Sequence, residues 1–153
     1  MAALRRSLLL LSAPRANPQP VVRRFIAGLR FNSNGNGGLK RYSFEDIKAL
    51  SSNPSPTRYL IDVREPHEFT AGYIPGAINL PIASSPDALL LPEEEFEERY
   101  GISKPDKAKS EVVFYCKAGI RSHSAAELAR QAGYEKVAEY PGSWNEWVER
   151  SKQ

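Results

Sequence analysis

The sequence contains one cysteine, Cys116, and the residues after it could make its sulfur reactive. Lys117 and Arg121 bring positive charge, and Gly119 allows the backbone to fold into a cradle of N–H groups. An apolar run that predicts a strand ends at Tyr115, and a helical pattern follows Arg121. This order predicts an anion-binding loop at the carboxyl edge of a parallel sheet, where a cysteine should be a thiolate at neutral pH.

The alternative interpretation of Cys116 is an inert core residue, because a lone cysteine after a buried strand often packs as a small apolar side chain. The neighbouring cations and glycine argue against this, since an inert site would not surround the sulfur with positive charge. A single cysteine forms neither an intramolecular disulfide nor a cysteine-only metal cluster. It also leaves no second thiol in this sequence, so an outside acceptor would have to discharge any intermediate on Cys116.

Short apolar runs alternate with helical patterns from residue 39 onward. The runs predict strands at 40–42, 59–63, 76–80, 112–115 and 137–140. The helical patterns cover 44–50, 66–71, 93–100 and 122–132, and Ser143 with Glu146 has the capping-box spacing that opens a last helix. The alternation predicts an α/β fold, with a mostly parallel five-stranded sheet covered by helices on both faces.

The basic residues concentrate at the N-terminus. No Asp or Glu precedes Glu45, whereas eight of the 21 Lys and Arg residues do. An acid-free, Arg-rich start predicts a mitochondrial presequence over residues 1–32, cleaved or disordered, followed by a flexible Asn/Gly linker at 33–38 and one domain at 39–153. The four-leucine run at 8–11 is shorter than the roughly 7 to 15 apolar residues of a secretory signal. A basic tail without targeting value is the remaining alternative.

Several classes of partner are not expected. Residues 42–153 have an acidic balance, which argues against nucleic acid binding. No segment approaches the roughly 20 consecutive apolar residues of a membrane span, so no stable membrane association is predicted. No His, Asp or Glu cluster has metal-ligand spacing, and no glycine-rich loop has a nucleotide-binding form, so neither a metal nor an organic cofactor is expected.

Three stretches of the sequence resemble the rhodanese family, in order and at fitting spacings. The first is Asp-Val-Arg-Glu-Pro-His-Glu-Phe at 62–69 with the Gly-Tyr-Ile-Pro-Gly stretch at 72–81, the second is the cysteine loop at 116–121, and the third runs from Gly133 to Trp147. The resemblance covers residues 39–148 and identifies 39–153 as a rhodanese domain. It departs at Tyr73, where the family usually has His.

The resemblance implies a thiosulfate sulfurtransferase in which Cys116 is the catalytic nucleophile and carries a transient persulfide. The donor would be a small anion such as thiosulfate, and the acceptor a thiol, either glutathione or a protein thiol, with cyanide as a test-tube substitute. Lys117 and Arg121 would hold the sulfonate of the donor, while Asp62 and Arg64 would support the loop. The expected substrate-binding residues are Lys117, Ala118, Gly119, Ile120, Arg121 and Ser122. Mitochondria, and the matrix in particular, would be the location.

Two other functions compete with sulfur transfer. Phosphatases and arsenate reductases that resemble rhodaneses use a Cys-x5-Arg loop, whereas the spacing from Cys116 to Arg121 is Cys-x4-Arg. The shorter loop favours a sulfane sulfur over a tetrahedral phosphate. The second rival is a module that binds a partner without catalysis, or that relays persulfide sulfur between proteins.

Overall fold

The computed structural model describes residues 38–153, so the predicted presequence and all but the last residue of the linker lie outside the described residues. Five strands form one sheet in which every pairing is parallel. The spatial order is β1-β5-β4-β2-β3. The strands are β1 (Lys40–Arg41), β2 (Arg58–Asp62), β3 (Ile78–Asn79), β4 (Glu111–Tyr115) and β5 (Lys136–Glu139). The predicted five-stranded parallel sheet is therefore confirmed.

Five α-helices connect and cover the strands. They are α1 (Phe44–Ser52), α2 (Pro66–Ala71), α3 (Glu93–Tyr100), α4 (Ile120–Gln131) and α5 (Ser143–Arg150), with a short 3-10 helix at Ala88–Leu90. The start of α1 matches its sequence signal, because the Ser43 hydroxyl accepts from the Asp46 N–H at 3.2 Å and the Asp46 carboxylate accepts from the Ser43 N–H at 2.9 Å. Among residues 38–153, no helix has the length and apolar character needed to cross a membrane.

The central strand, β4, separates two layers of core. Val112 and Phe114 face a cluster that includes residues of α3 and α4. Val113 and Tyr115 face a second cluster, which contains residues of α1 and has the tryptophans of α5 packed against it. All four side chains are at most 1% exposed. Because successive side chains of a strand point to opposite faces, this apolar run is buried on both sides, as expected of a strand inside an α/β sheet.

Several boundaries and one cap differ from the sequence prediction. The strand predicted at 76–80 is only Ile78–Asn79, and α4 begins at Ile120 rather than at residue 122. The capping box of Ser143 and Glu146 is wrong, because Gly142 precedes α5 and Ser143 is its first residue. The Glu146 N–H donates to the Gly142 carbonyl at 3.1 Å, and the Ser143 hydroxyl donates to the Tyr140 carbonyl at 2.8 Å. The spacing therefore identified the helix but assigned Ser143 the wrong partner.

Candidate active site

Cys116 directly follows β4 and lies where the first turn of α5 meets the sheet. Its side chain is buried, with a residue exposure of 1%. The Cys116 N–H donates to the Ser143 hydroxyl oxygen at 3.2 Å, and its carbonyl accepts from the Trp144 N–H at 2.9 Å. The next carbonyl, of Lys117, accepts from the Asn145 N–H at 3.1 Å. Free N–H groups of a helix N-terminus thus hold the cysteine loop by its backbone.

The sulfur of Cys116 lies among hydrogen-bond donors of its own loop. The Gly119 N–H donates to Sγ at 3.0 Å, and the Ser122 hydroxyl oxygen lies 3.5 Å from Sγ. Burial raises the pKa of the Cys116 thiol, but the Ser122 hydroxyl and the N–H groups of Ser122, Gly119 and Ala118 outweigh burial and lower this pKa below its ordinary value. The loop therefore stabilises a negative charge on the sulfur.

The physical cause of that stabilisation differs from the sequence expectation. The sequence assigned the lowered pKa partly to Lys117 and Arg121, whereas the donors that lower the pKa are the Ser122 hydroxyl and backbone N–H groups. A buried anion gains more from short, oriented N–H donors than from a cation whose charge is screened by water. The Ser122 hydroxyl and the backbone N–H groups therefore lower this pKa most, and the charge of nearby Arg121 acts in the same direction.

Gly119 is the residue on which the shape of the loop depends. Its φ is +93°, in the region that glycine adopts most readily. A Cβ at this position would also lie 2.5 Å from the Pro141 carbonyl oxygen, closer than atoms can approach. Only glycine therefore allows the loop to turn here while its N–H points at the sulfur of Cys116.

The other predicted loop residues divide between the surface and the interior. Lys117 and Ala118 are exposed, and Ile120 is 79% exposed although it is apolar. Ser122 is fully buried, and its hydroxyl donates to the Gly119 carbonyl oxygen at 3.1 Å. Among residues 38–153, no group of three or more His, Cys, Asp or Glu side chains is arranged to hold a metal ion.

Arg121 points to a partner that the sequence did not suggest. Its guanidinium donates two hydrogen bonds to the Glu68 carboxylate, at 2.7 and 3.0 Å. Glu68 lies in α2, so this pair joins α2 to the start of α4. These hydrogen bonds raise the pKa of Arg121, and the charge of the nearby Cys116 thiolate acts in the same direction. Arg121 is close enough to the sulfur to influence it, but its charge is already compensated.

Asp62 and Arg64 form a buried ion pair at the carboxyl end of β2. The guanidinium of Arg64 donates to the Asp62 carboxylate at 2.6 Å and to the Gly72 carbonyl at 2.7 Å. It also stacks 4.8 Å from the centre of the Trp144 ring. Because the Trp144 N–H donates to the Cys116 carbonyl, the pair reaches the cysteine loop through α5 and does not contact the sulfur.

His123 pairs with a carboxylate of β5 rather than with the sulfur of Cys116. Its Nδ1 lies 3.0 Å from the Glu139 carboxylate, which also accepts from Arg41 at 3.2 Å. The carboxylate of Glu139 is buried between these two groups. The contacts of His123 therefore lie on β5, and the sulfur has no imidazole among its hydrogen-bond partners.

Comparison with known proteins decides the family. Residues 43–150 match the Rhodanese-like domain family. The chain belongs to the rhodanese family. It is 44% identical over 121 residues to a Saccharomyces cerevisiae protein named thiosulfate:glutathione sulfurtransferase, covering 79% of this chain and 86% of that relative. A human protein of the same name is 38% identical over 113 residues, which cover 74% of this chain and 96% of the human protein.

The fold is also that of a solved rhodanese. Yeast RDL2, named as a mitochondrial thiosulfate sulfurtransferase, is 43% identical over 109 residues, covering 71% of this chain and 72% of RDL2. Its crystal structure, described as a single-domain sulfurtransferase, aligns with a TM-score of 0.71 and covers 76% of this chain and 94% of the RDL2 chain. The expected rhodanese-like α/β fold is therefore confirmed.

Two residues of this rhodanese site were not recognised in the sequence. Ser143 was interpreted as a helix cap, and Glu68 passed as an ordinary helical residue. One signal could have suggested Glu68, because α2 follows β2 and the cysteine loop follows β4, and these adjacent parallel strands end at the same edge of the sheet. No comparable signal existed for Ser143, whose role depends on how α5 docks against β4.

Proposed function

We propose that this rhodanese is a thiosulfate sulfurtransferase that moves a sulfane sulfur from a thiosulfate-like donor to a thiol acceptor through a persulfide on Cys116. The environment of the Cys116 sulfur carries this proposal. The sulfur accepts a 3.0 Å hydrogen bond from the Gly119 N–H, and the pKa of the thiol is lowered although the side chain is buried. The relatives named as thiosulfate:glutathione sulfurtransferases support thiosulfate as donor and glutathione as acceptor.

The first step is displacement at the outer sulfur of the donor. The Cys116 thiolate attacks this sulfur, the sulfur–sulfur bond of thiosulfate breaks, and sulfite leaves with the bonding electrons. The new persulfide on Cys116 keeps one negative charge. Loop N–H groups from residues 117–122 stabilise that charge, and the exposed ammonium of Lys117 attracts the sulfonate of the donor.

The second step returns the enzyme to its starting state. The thiolate of the acceptor attacks the outer sulfur of the persulfide, the sulfur–sulfur bond to Cys116 breaks, and the Cys116 thiolate is restored. With glutathione as acceptor, the product is glutathione persulfide. Cys116 is the only cysteine of the sequence, so this step takes its thiol from a second molecule.

Steady-state kinetics test this function. The purified protein should release sulfite from thiosulfate in the presence of glutathione, with rates that saturate in both substrates. A Cys116→Ser variant should lose the activity while unfolding at the same temperature as the original protein. Full activity in Cys116→Ser would contradict the mechanism, and an exposed control, Ser124→Ala, should keep the original rate.

We further propose that the protein acts in the mitochondrial matrix and that residues 1–32 form its presequence. Support comes from the acid-free basic N-terminus and from the mitochondrial designation of RDL2. Fusion of residues 1–38 to a fluorescent protein should direct the fusion to the matrix. Replacing Arg5, Arg6 and Arg15 with Gln should abolish import, because a presequence needs positive charge. A fusion that stays in the cytosol, or one whose import survives these replacements, would overturn the assignment.

A further inference from the structure

The Glu68–Arg121 pair lies beside the cysteine loop but belongs to no step of the mechanism. The two side chains meet at 2.7 and 3.0 Å in a two-point geometry, which fixes the guanidinium more firmly than a single contact would. Both are partly buried, with side-chain exposures of 35% for Arg121 and 22% for Glu68. Arg121 is therefore held by α2, although its own helix begins in the cysteine loop.

The two cations of the cysteine loop are not equivalent. Within residues 38–153, the Lys117 ammonium has no hydrogen bond or ion pair, whereas the positive charge of Arg121 is balanced by the carboxylate of Glu68. The hydrogen bonds from Arg121 lower the pKa of Glu68 to about 2. Because a lowered carboxyl pKa keeps the group ionised at every pH above it, Glu68 is negative and the pair is intact throughout the neutral range.

We propose that Glu68 and Arg121 act as a neutral pair that sets how strongly the loop attracts anionic donors, and that Arg121 does not bind the donor's sulfonate. This inference rests on the proposed sulfurtransferase function. Glu68 is a positioning residue in this scheme, since it fixes Arg121 and cancels its charge. Lys117 is then the uncompensated side-chain cation of the loop, so the site selects donors with one positive charge plus oriented N–H groups.

Single substitutions of the pair should move donor binding in opposite directions. Glu68→Gln leaves Arg121 uncompensated, and the KM for thiosulfate should fall about fivefold, as expected for one added charge near a dianion in a hydrated site. Arg121→Gln leaves Glu68 uncompensated, and this KM should rise about fivefold. Both effects should shrink in high salt, and kcat with a saturating uncharged acceptor such as 2-mercaptoethanol should change little.

The double variant separates charge cancellation from direct binding. If the pair acts through its net charge, Glu68→Gln combined with Arg121→Gln should restore the KM for thiosulfate to within about twofold of the original value. If Arg121 binds the sulfonate, the double variant should be as poor as Arg121→Gln alone, and the inference is wrong. If the double glutamine variant does not fold, a charge-swapped variant, Glu68→Arg with Arg121→Glu, gives the same comparison.

A donor of lower charge provides the internal control. Methanethiosulfonate presents the same kind of outer sulfur but carries one negative charge, so each single substitution should change its KM by only about twofold. Equal effects on both donors, or a lower kcat with unchanged KM in all variants, would show a structural role and overturn the inference. If the unmodified protein has no activity with thiosulfate, the proposed function itself is refuted.

Discussion

Cys116 combines two properties that oppose each other in most proteins, because its side chain is buried while its sulfur is stabilised as an anion. Burial alone would make the thiol harder to ionise. The Gly119 N–H at 3.0 Å and the Ser122 hydroxyl at 3.5 Å supply the compensation, and both come from the same short loop. The same donors that favour the thiolate remain in place for the persulfide anion that replaces it.

Removing one of these donors should raise the thiol pKa. In Ser122→Ala, the sulfur loses the hydroxyl that lowers its pKa, and we expect the pKa of Cys116 to rise. Thiolate absorbance at 240 nm, followed against pH, measures this, and the original protein should titrate below the ordinary cysteine value of about 8.5. The exposed control Ser124→Ala should titrate like the original, and identical curves for Ser122→Ala would contradict the assignment.

Ser143 can be tested by two substitutions at one position. Its φ is +54°, which strains any residue except glycine, and its hydroxyl accepts from the buried Cys116 N–H. Ser143→Ala should lower the free energy of unfolding by about 1 to 3 kcal/mol, because that N–H loses its partner. Ser143→Gly loses the same partner but relieves the strain, so it should be about 1 kcal/mol more stable than Ser143→Ala in urea unfolding. An alanine variant as stable as the glycine variant would contradict this.

At the level of elements, the cysteine loop depends on its contacts with the segment before α5. The approach of Gly119 to the Pro141 carbonyl leaves no space for a side chain, and the first N–H groups of α5 hold the loop carbonyls. The sequence predicted α4, α5 and the loop from their own signals. It could not predict how α5 docks, because that contact joins residues far apart in the chain and depends on packing rather than on local propensity.

Two glycines with positive φ provide a matched test of this close approach. Gly119→Ala and Gly76→Ala both place a side chain at a left-handed φ, of +93° and +83°, so both carry a similar backbone strain. Only at residue 119 does the new Cβ collide with backbone. Gly119→Ala should abolish sulfur transfer and lower the melting temperature further than Gly76→Ala, which should keep its activity. An active Gly119→Ala variant would show that the loop does not need this geometry.

For the whole molecule, the sequence was most informative where local patterns repeat. The buried run from Val112 to Tyr115 and the helical patterns between strands predicted the parallel sheet and both helical layers, because strand and helix periods are visible in the sequence. The Glu68–Arg121 pair joins residues 53 positions apart, and no local pattern encodes it. Prediction from sequence therefore reached the fold and proposed Cys116 as the reactive residue, but it did not find the pairing of Arg121 with Glu68.

The predicted domain boundary can also be tested on the whole molecule. Residues 38–153 contain both core layers and every contact described for Cys116. A chain that begins at Gly37 should therefore keep the melting temperature and the thiosulfate kinetics of the full chain. A loss of several degrees or a changed KM would place the domain boundary earlier than residue 39.

The central claim is that Cys116 carries the transferred sulfur, and intact-protein mass spectrometry tests it most directly. After exposure to thiosulfate, the protein should gain about 32 Da, the mass of one sulfur atom, on the peptide that contains Cys116, and glutathione should remove that mass. Cys116→Ser should gain nothing. An unmodified protein that acquires no such adduct would contradict the account and favour a binding module, while an adduct that resists glutathione but passes to a protein thiol would favour a relay.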